Sequence, residues 1–127
     1  MKKTDDIGPA ILEDFAAAWN RHDADALMSF MTSDCAFETA EGPDPCGMRF
    51  EGPAAVREAF ARVWKLYPDA RWEDARHVVQ GDRGFSEWTF RGTDRNGNKV
   101  EVRGVDLFVL RDGKIALKDT FRKKRTG

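Results

Sequence analysis

From Pro9 to Arg21 the apolar residues Ile11, Leu12, Phe15, Ala16 and Trp19 recur at intervals of three and four, which predicts a helix with one buried stripe. Pro9 suits its first turn. Asn20-Arg21-His22-Asp23 interrupts the period, and Asp23 is placed to cap a short second helix that turns Leu27, Met28 and Met31 inward and ends at Thr32-Ser33-Asp34. The two form a helical hairpin, with His22 exposed in its turn. Cys35-Ala36-Phe37-Glu38-Thr39-Ala40 predicts a strand, followed by a turn-rich excursion and a short strand around Met48-Arg49-Phe50. Gly52-Pro53 opens a third helix whose apolar face is Val56, Phe60, Val63, Trp64 and Tyr67, and Pro68 stops it.

Beyond Trp72 the helical period is gone. Strands are expected over approximately 72–80, 84–92, 98–110 and 114–122, separated by the hairpin turns Gly81-Asp82-Arg83-Gly84, Asn96-Gly97-Asn98 and Arg111-Asp112-Gly113-Lys114. Helices first and an antiparallel meander last is an α+β order. The strand 98–110 is apolar on both faces: Val105, Leu107 and Val109 on one, Val102, Gly104, Phe108 and Leu110 beside Asp106 on the other. Three helices can cover one face of a single sheet, so the other is expected to meet a second copy in a homodimer.

A chain of 127 residues suits one domain, 1–127, and buries roughly two thirds of its unfolded surface without a disulfide or metal staple. Its 21 basic and 22 acidic residues give a net charge of -1, which lacks the basic footprint of a nucleic-acid binder. No apolar run reaches the ~18 residues of a membrane span. The start, Met1-Lys2-Lys3-Thr4-Asp5-Asp6 before Ile7-Gly8-Pro9, lacks the apolar stretch of a signal peptide, so a cytoplasmic location is expected. Cys35 and Cys46 have neither CxxC spacing nor a flanking His pair, and are expected as free thiols. His22 and His77 lie far apart with no acidic cluster at ligand spacing, so no metal is expected. Motifs for dinucleotide, nucleotide, zinc-protease and serine-hydrolase chemistry are missing, and no cofactor is expected.

The helical hairpin, the strand from Cys35, the entry Phe50-Glu51-Gly52-Pro53 and the closing run from Val105 to Ile115 resemble the nuclear transport factor 2-like superfamily, which includes ketosteroid isomerases, SnoaL-type polyketide cyclases and limonene epoxide hydrolases. The resemblance runs from about Ile7 to Lys123. It implies a cone-shaped, strongly curved, mostly antiparallel sheet packed on three N-terminal helices, with an apolar pocket inside. Asp106 falls where a ketosteroid isomerase keeps its oxyanion-stabilising aspartate. Where such an isomerase has its base this chain has Thr39, and where it has its tyrosine this chain has Phe15. The Arg-x-Asp pair of epoxide hydrolases is replaced by Trp88 and Phe90, and their third acid corresponds to Asp119 or Thr120. A SnoaL-type cyclase needs one pocket aspartate as acid/base, which Asp106 supplies.

Asp106 is the leading chemical candidate, because a carboxylate between Gly104 and Phe108 sits in an apolar setting suited to moving a proton. Two hairpin registers are open. If Arg111 pairs with Lys114, Asp106 faces Asp119; if Gly113 closes a three-residue loop with a bulge, Leu110 pairs with Lys114 and Asp106 faces Lys118. The second is favoured, since like charges directly opposite destabilise a ladder while Asp106 with Lys118 adds roughly 0.2–1 kcal/mol. It places Val105, Leu107, Val109, Ile115, Leu117 and Phe121 on the dimer face, and Asp106, Phe108, Ala116, Lys118 and Thr120 on the pocket face. Phe15, Trp19, Phe37, Thr39, Trp64, Trp88, Phe90 and Phe108 are the candidate lining for a small, largely apolar organic molecule, weighed against plain aromatic core packing. Arg122-Lys123-Lys124-Arg125 is either a solvated end or a basic flap that attracts an anionic substrate.

Overall fold

The computed structural model describes residues 8–126. Helix α1 (Ala10–Asn20) and helix α2 (Ala24–Ser29) form the expected hairpin, and the Asp23 carboxylate accepts from the Ala26 N–H at 3.0 Å as the cap of α2. Strand β1 (Met31–Glu38), strand β2 (Arg49–Glu51) and helix α3 (Pro53–Leu66) follow, then β3 (Arg71–Gln80), β4 (Arg83–Thr93), β5 (Lys99–Arg111) and β6 (Lys114–Arg122). Gly52 takes φ +88° just before Pro53, a conformation that glycine adopts without penalty as the chain turns into α3. The six strands form one mixed sheet in the order β2-β1-β6-β5-β4-β3, in which β1 and β6 run parallel and the other neighbours antiparallel. The fold is thus the expected α+β cone, with the helices on the concave face of the sheet. No described helix is long and apolar enough to cross a membrane.

The core lies between the helices and that concave face. Leu12, Phe15, Ala18 and Trp19 of α1, Leu27 of α2, and Val56 and Phe60 of α3 are buried against Phe37, Phe108, Leu110 and Ile115 of the sheet. Its aromatic rings meet edge to face, as Phe15 does with Phe108 at 5.9 Å and Trp19 with Phe60 at 5.0 Å, the geometry their quadrupoles favour. Cys35 is buried and free, and Cys46 is also free.

Three expectations are corrected here. Met31 is buried as expected, but it opens β1 instead of lying on α2. The Phe30 carbonyl accepts from the Ile115 N–H at 2.8 Å, so ladder pairing with β6 starts where the helix would have continued. His22 is half-buried: its ring stacks on Trp64 at 5.1 Å and its Nε2 lies 2.8 Å from the Ala70 carbonyl oxygen.

The third correction concerns the closing hairpin, which follows neither register. Asp112 and Gly113 take φ +53° and +75°, a two-residue turn with a twist that suits a hairpin, and Arg111 pairs with Lys114. Leu110 then pairs with Ile115 and Val109 with Leu117, which leaves Ala116 as a bulge. The extra residue rotates Ile115 into the core, away from the Leu117 and Phe121 face it was expected to share, and sets Asp106 opposite Thr120. Burying Ile115 fully beside Leu110 is a gain of about 1.5–3 kcal/mol over leaving it exposed, which favours the bulge.

Candidate functional site

A polar row crosses the concave face. His77 on β3 pairs with Ser86 on β4, Ser86 with Asp106 on β5, and Asp106 with Thr120 on β6, so four consecutive strands contribute one inward side chain each at the same level. Thr120 donates its hydroxyl to Asp106 Oδ1 at 2.6 Å, and Trp88 donates its indole N–H to Asp106 Oδ2 at 3.0 Å. Lys118 Nζ lies 3.0 Å from Asp106 Oδ1 and donates to Thr120 Oγ1 at 2.7 Å. At the other end His77 Nδ1 is 2.7 Å from Ser86 Oγ. Ser86, Asp106 and Lys118 are each about 95% buried. A buried ion pair persists only when its remaining hydrogen-bonding capacity is met, and three donors here converge on one carboxylate.

Aromatic rings enclose the cation as well. Lys118 Nζ stands 4.6 Å from the Phe37 ring centroid and 5.1 Å from that of Trp19, within cation–π range. Burial pushes the Lys118 ammonium below its ordinary range, opposed by the neighbouring Asp106 carboxylate. Burial also lowers the His77 imidazole, against the pull of Glu13 and Asp106. Asp119 points to the convex face beside Glu38, its pairing partner in β1, and partial burial together with that like charge raises its carboxyl.

The candidate lining residues separate into distinct environments. Phe15, Trp19, Trp88 and Phe108, with Ser86, Asp106 and Lys118, surround a cavity of about 20 Å³, the room of a single water molecule. Phe37 packs in the main core and Phe90 in a second cluster with Trp88 and Ala70, while Trp64 is packed against both. The Thr39 hydroxyl serves its own loop, donating to the Glu41 carbonyl at 2.7 Å and accepting from the Met48 N–H at 3.0 Å.

A larger, half-open groove of about 630 Å³ lies farther along β5 and β6, with Tyr67, Val100, Val102, Arg122 and the basic residues Lys124 and Arg125 on its walls. Arg122 is stacked 5.1 Å from the centroid of Phe90. The Trp88 indole covers Gly104 so closely that a Cβ there would lie 2.5 Å from Trp88 Cη2. Trp88 is thus both a donor to the carboxylate and the ring packed on Gly104. Ser86 and Tyr67 were not singled out as site residues from the sequence, although the alternation of β4 puts Ser86 on the same face as Trp88; Arg122 was named only within the basic run Arg122-Lys123-Lys124-Arg125. Among the described residues no group of three His, Cys, Asp or Glu side chains could hold a metal ion.

Residues 12–118 match the model of the SnoaL-like domain family. The chain belongs to that family. Solved structures agree on the fold of this SnoaL-like domain. It is 25% identical to a putative polyketide cyclase from Xanthomonas campestris pv. campestris, with a TM-score of 0.78 over 88% of this chain and 87% of that one. It is 28% identical to an NTF2-like protein of unknown function from Mesorhizobium loti, with a TM-score of 0.73 over 91% and 89% of the two chains. A hypothetical protein with a ketosteroid isomerase-like fold from Catenulispora acidiphila, solved with trimethylamine, superposes with a TM-score of 0.79 at 18% identity over 91% and 86% of the two chains. No curated protein matches the sequence.

Proposed function

We propose that this SnoaL-like domain binds a small, largely apolar organic molecule on its concave face and that Asp106 exchanges a proton with it, in a cofactor-independent isomerisation or cyclisation beside a carbonyl. One observation carries the reading: a carboxylate on the concave face, about 94% buried, is held by Trp88, Lys118 and Thr120 instead of being left to solvent. Such a group is fixed in place before a substrate arrives, which is what general acid–base catalysis needs. Lys118 pairs with the carboxylate, and Trp88 holds the ligand beside it.

The cavity beside Asp106 is too small for an organic molecule as it stands, so binding requires the aromatic side chains around it to move apart. The polyketide cyclase fold of the Xanthomonas relative supports this class of substrate. A second reading, a binding or interaction module without turnover, is favoured by the aromatic packing that fills the cone. We further propose a homodimer through the convex face, where Leu107 is 45% and Phe121 51% exposed.

A thermal-shift screen with aromatic ketones, polyketides, terpenoid epoxides and steroids tests the site. A stabilising hit consumed by the native protein, and left unconsumed by Asp106→Asn under conditions where that variant is folded by circular dichroism, supports the enzyme. A hit bound equally by both and turned over by neither establishes the module.

A further inference from the structure

We infer that the cavity between Ser86 and Asp106 holds one ordered water, and that Asp106, this water, Ser86 and His77 form a proton relay from the buried carboxylate to the rim of the sheet. The inference rests on the proposed role of Asp106 for its catalytic use, although the relay itself is a property of the protein without substrate.

Three observations meet at this point. The three side chains are successive pairing partners across β3, β4 and β5, so the sheet holds them in line. His77 and Ser86 are already joined at 2.7 Å. The space that Ser86 and Asp106 both border, about 20 Å³, admits one water and little more.

The transfer balances. With His77 in the tautomer that carries its proton on Nε2, Nδ1 accepts from the Ser86 hydroxyl. A proton leaving the Asp106 carboxyl passes to the water, the water passes one of its own to Ser86 Oγ, and the Ser86 hydroxyl proton passes to Nδ1. The imidazolium then releases its Nε2 proton to solvent, which leaves the proton on Nδ1; the chain resets when the half-exposed imidazole returns to the Nε2–H tautomer by exchange with solvent and the water and hydroxyl reorient. His77 suits the outer station because it is only half-buried, and an imidazole can both accept and release near neutrality. The charged groups that face it are Glu13 from α1 and Asp106 from β5, the latter paired with Lys118 of β6.

The test uses the intact chain. Trp88 reports on Asp106 through its indole N–H and His77 reports on itself, so both resonances are followed by NMR through the imidazole titration, in the native protein, Ser86→Ala and His77→Gln. The expected result is an inflection of the Trp88 indole signal at the His77 midpoint, lost in both variants while the remaining signals keep their dispersion. An inflection that persists unchanged in Ser86→Ala marks through-space electrostatics and overturns the relay, as does a crystal structure with no density between Ser86 Oγ and Asp106. If the inflection persists in Ser86→Ala while Asp106→Asn is folded and inactive, the relay falls and the proposed reaction stands. Loss of the inflection in a protein that turns nothing over supports the relay without the reaction.

Discussion

Lys118 reaches Asp106 on the diagonal of the β5–β6 ladder: its own pairing partner is Phe108, while Thr120 stands opposite Asp106 and bonds to both charged groups. The bulge at Ala116 makes this possible by bringing Lys118 and Thr120 to the concave face together. The ion pair is buried, so removing one partner strands the other. Asp106→Asn and Lys118→Met should each destabilise the domain by roughly 3–5 kcal/mol, and the double variant by clearly less than their sum. Urea unfolding of the four proteins measures the cycle, and additive losses would mean that the two groups do not depend on one another.

Gly104 is the close-approach position of the site. A methyl group there meets Trp88 Cη2 at 2.5 Å and the Phe121 carbonyl oxygen at 2.6 Å, and the backbone atom cannot yield. Gly104→Ala should therefore cost about 1–3 kcal/mol and push the indole away from Asp106. A lowered Tm with a shifted tryptophan emission is the expected pair of signals; an unchanged emission spectrum would show that the indole stays in place.

Much of this arrangement could be read from residue pattern alone. The strand limits from Arg71 to Arg122 follow the turn signals at Gly81, Gly97 and Gly113 within a residue or so, and Asp106 with Lys118 follows from alternation plus charge. The direct partner of Asp106 did not follow. Nothing between Lys114 and Arg122 marks Ala116 as a bulge, because its cause is the room for Ile115 beneath α1 and α2, a tertiary fact. Met31 shows the same limit: periodicity predicts burial, and only pairing with β6 decides between helix and strand. The aromatic count identified the interior of the cone without distinguishing lined space from filled space, since Phe15, Trp19 and Phe60 satisfy either until their ring distances are known. His77 and Ser86 were hidden for a simpler reason, that two small polar residues on different strands become neighbours only once the register is set.

The lowered imidazole of His77 gives the stability a pH dependence with a definite sign. In the unfolded chain a histidine titrates near 6.5, and in the fold burial holds His77 below that. Between the two midpoints the unfolded state binds the additional proton. The contribution is thus complete above about pH 6.5 and is lost as the pH falls toward the folded midpoint. His77→Gln should flatten that limb of the Tm–pH curve, and an identical curve would place the dependence on other groups.

Asp119 acts in the opposite sense. Its carboxyl is raised by partial burial and by Glu38, so the folded state holds its proton more tightly than the unfolded state, and stability declines as the pH rises through the folded midpoint. Asp119→Asn should stabilise the domain at neutral pH, with the gain vanishing below the ordinary value of 3.8. Denaturant midpoints at neutral and strongly acidic pH test the pattern, and a variant less stable at neutral pH refutes it.

The convex face supplies the last prediction. Val78, Phe85, Leu107 and Phe121 lie there with 46%, 37%, 45% and 51% of their surfaces exposed. Phe85 pairs with both Val78 and Leu107, and Val105 joins Phe121, so these side chains form one patch across four strands. An apolar patch on a domain that is otherwise richly charged supports the proposed homodimer face. A stable pair buries about 1,200–2,000 Å² in total, a fair share of a domain with 7732 Å² accessible, and a sheet face can provide it. Leu107→Lys and Phe121→Glu each place a charge where it would be buried against the second copy, while neither touches the concave site. Sedimentation velocity should show the native chain as a dimer and both variants as folded monomers. A native chain that sediments as a monomer at high concentration would leave the apolar face of β5 without its proposed cover.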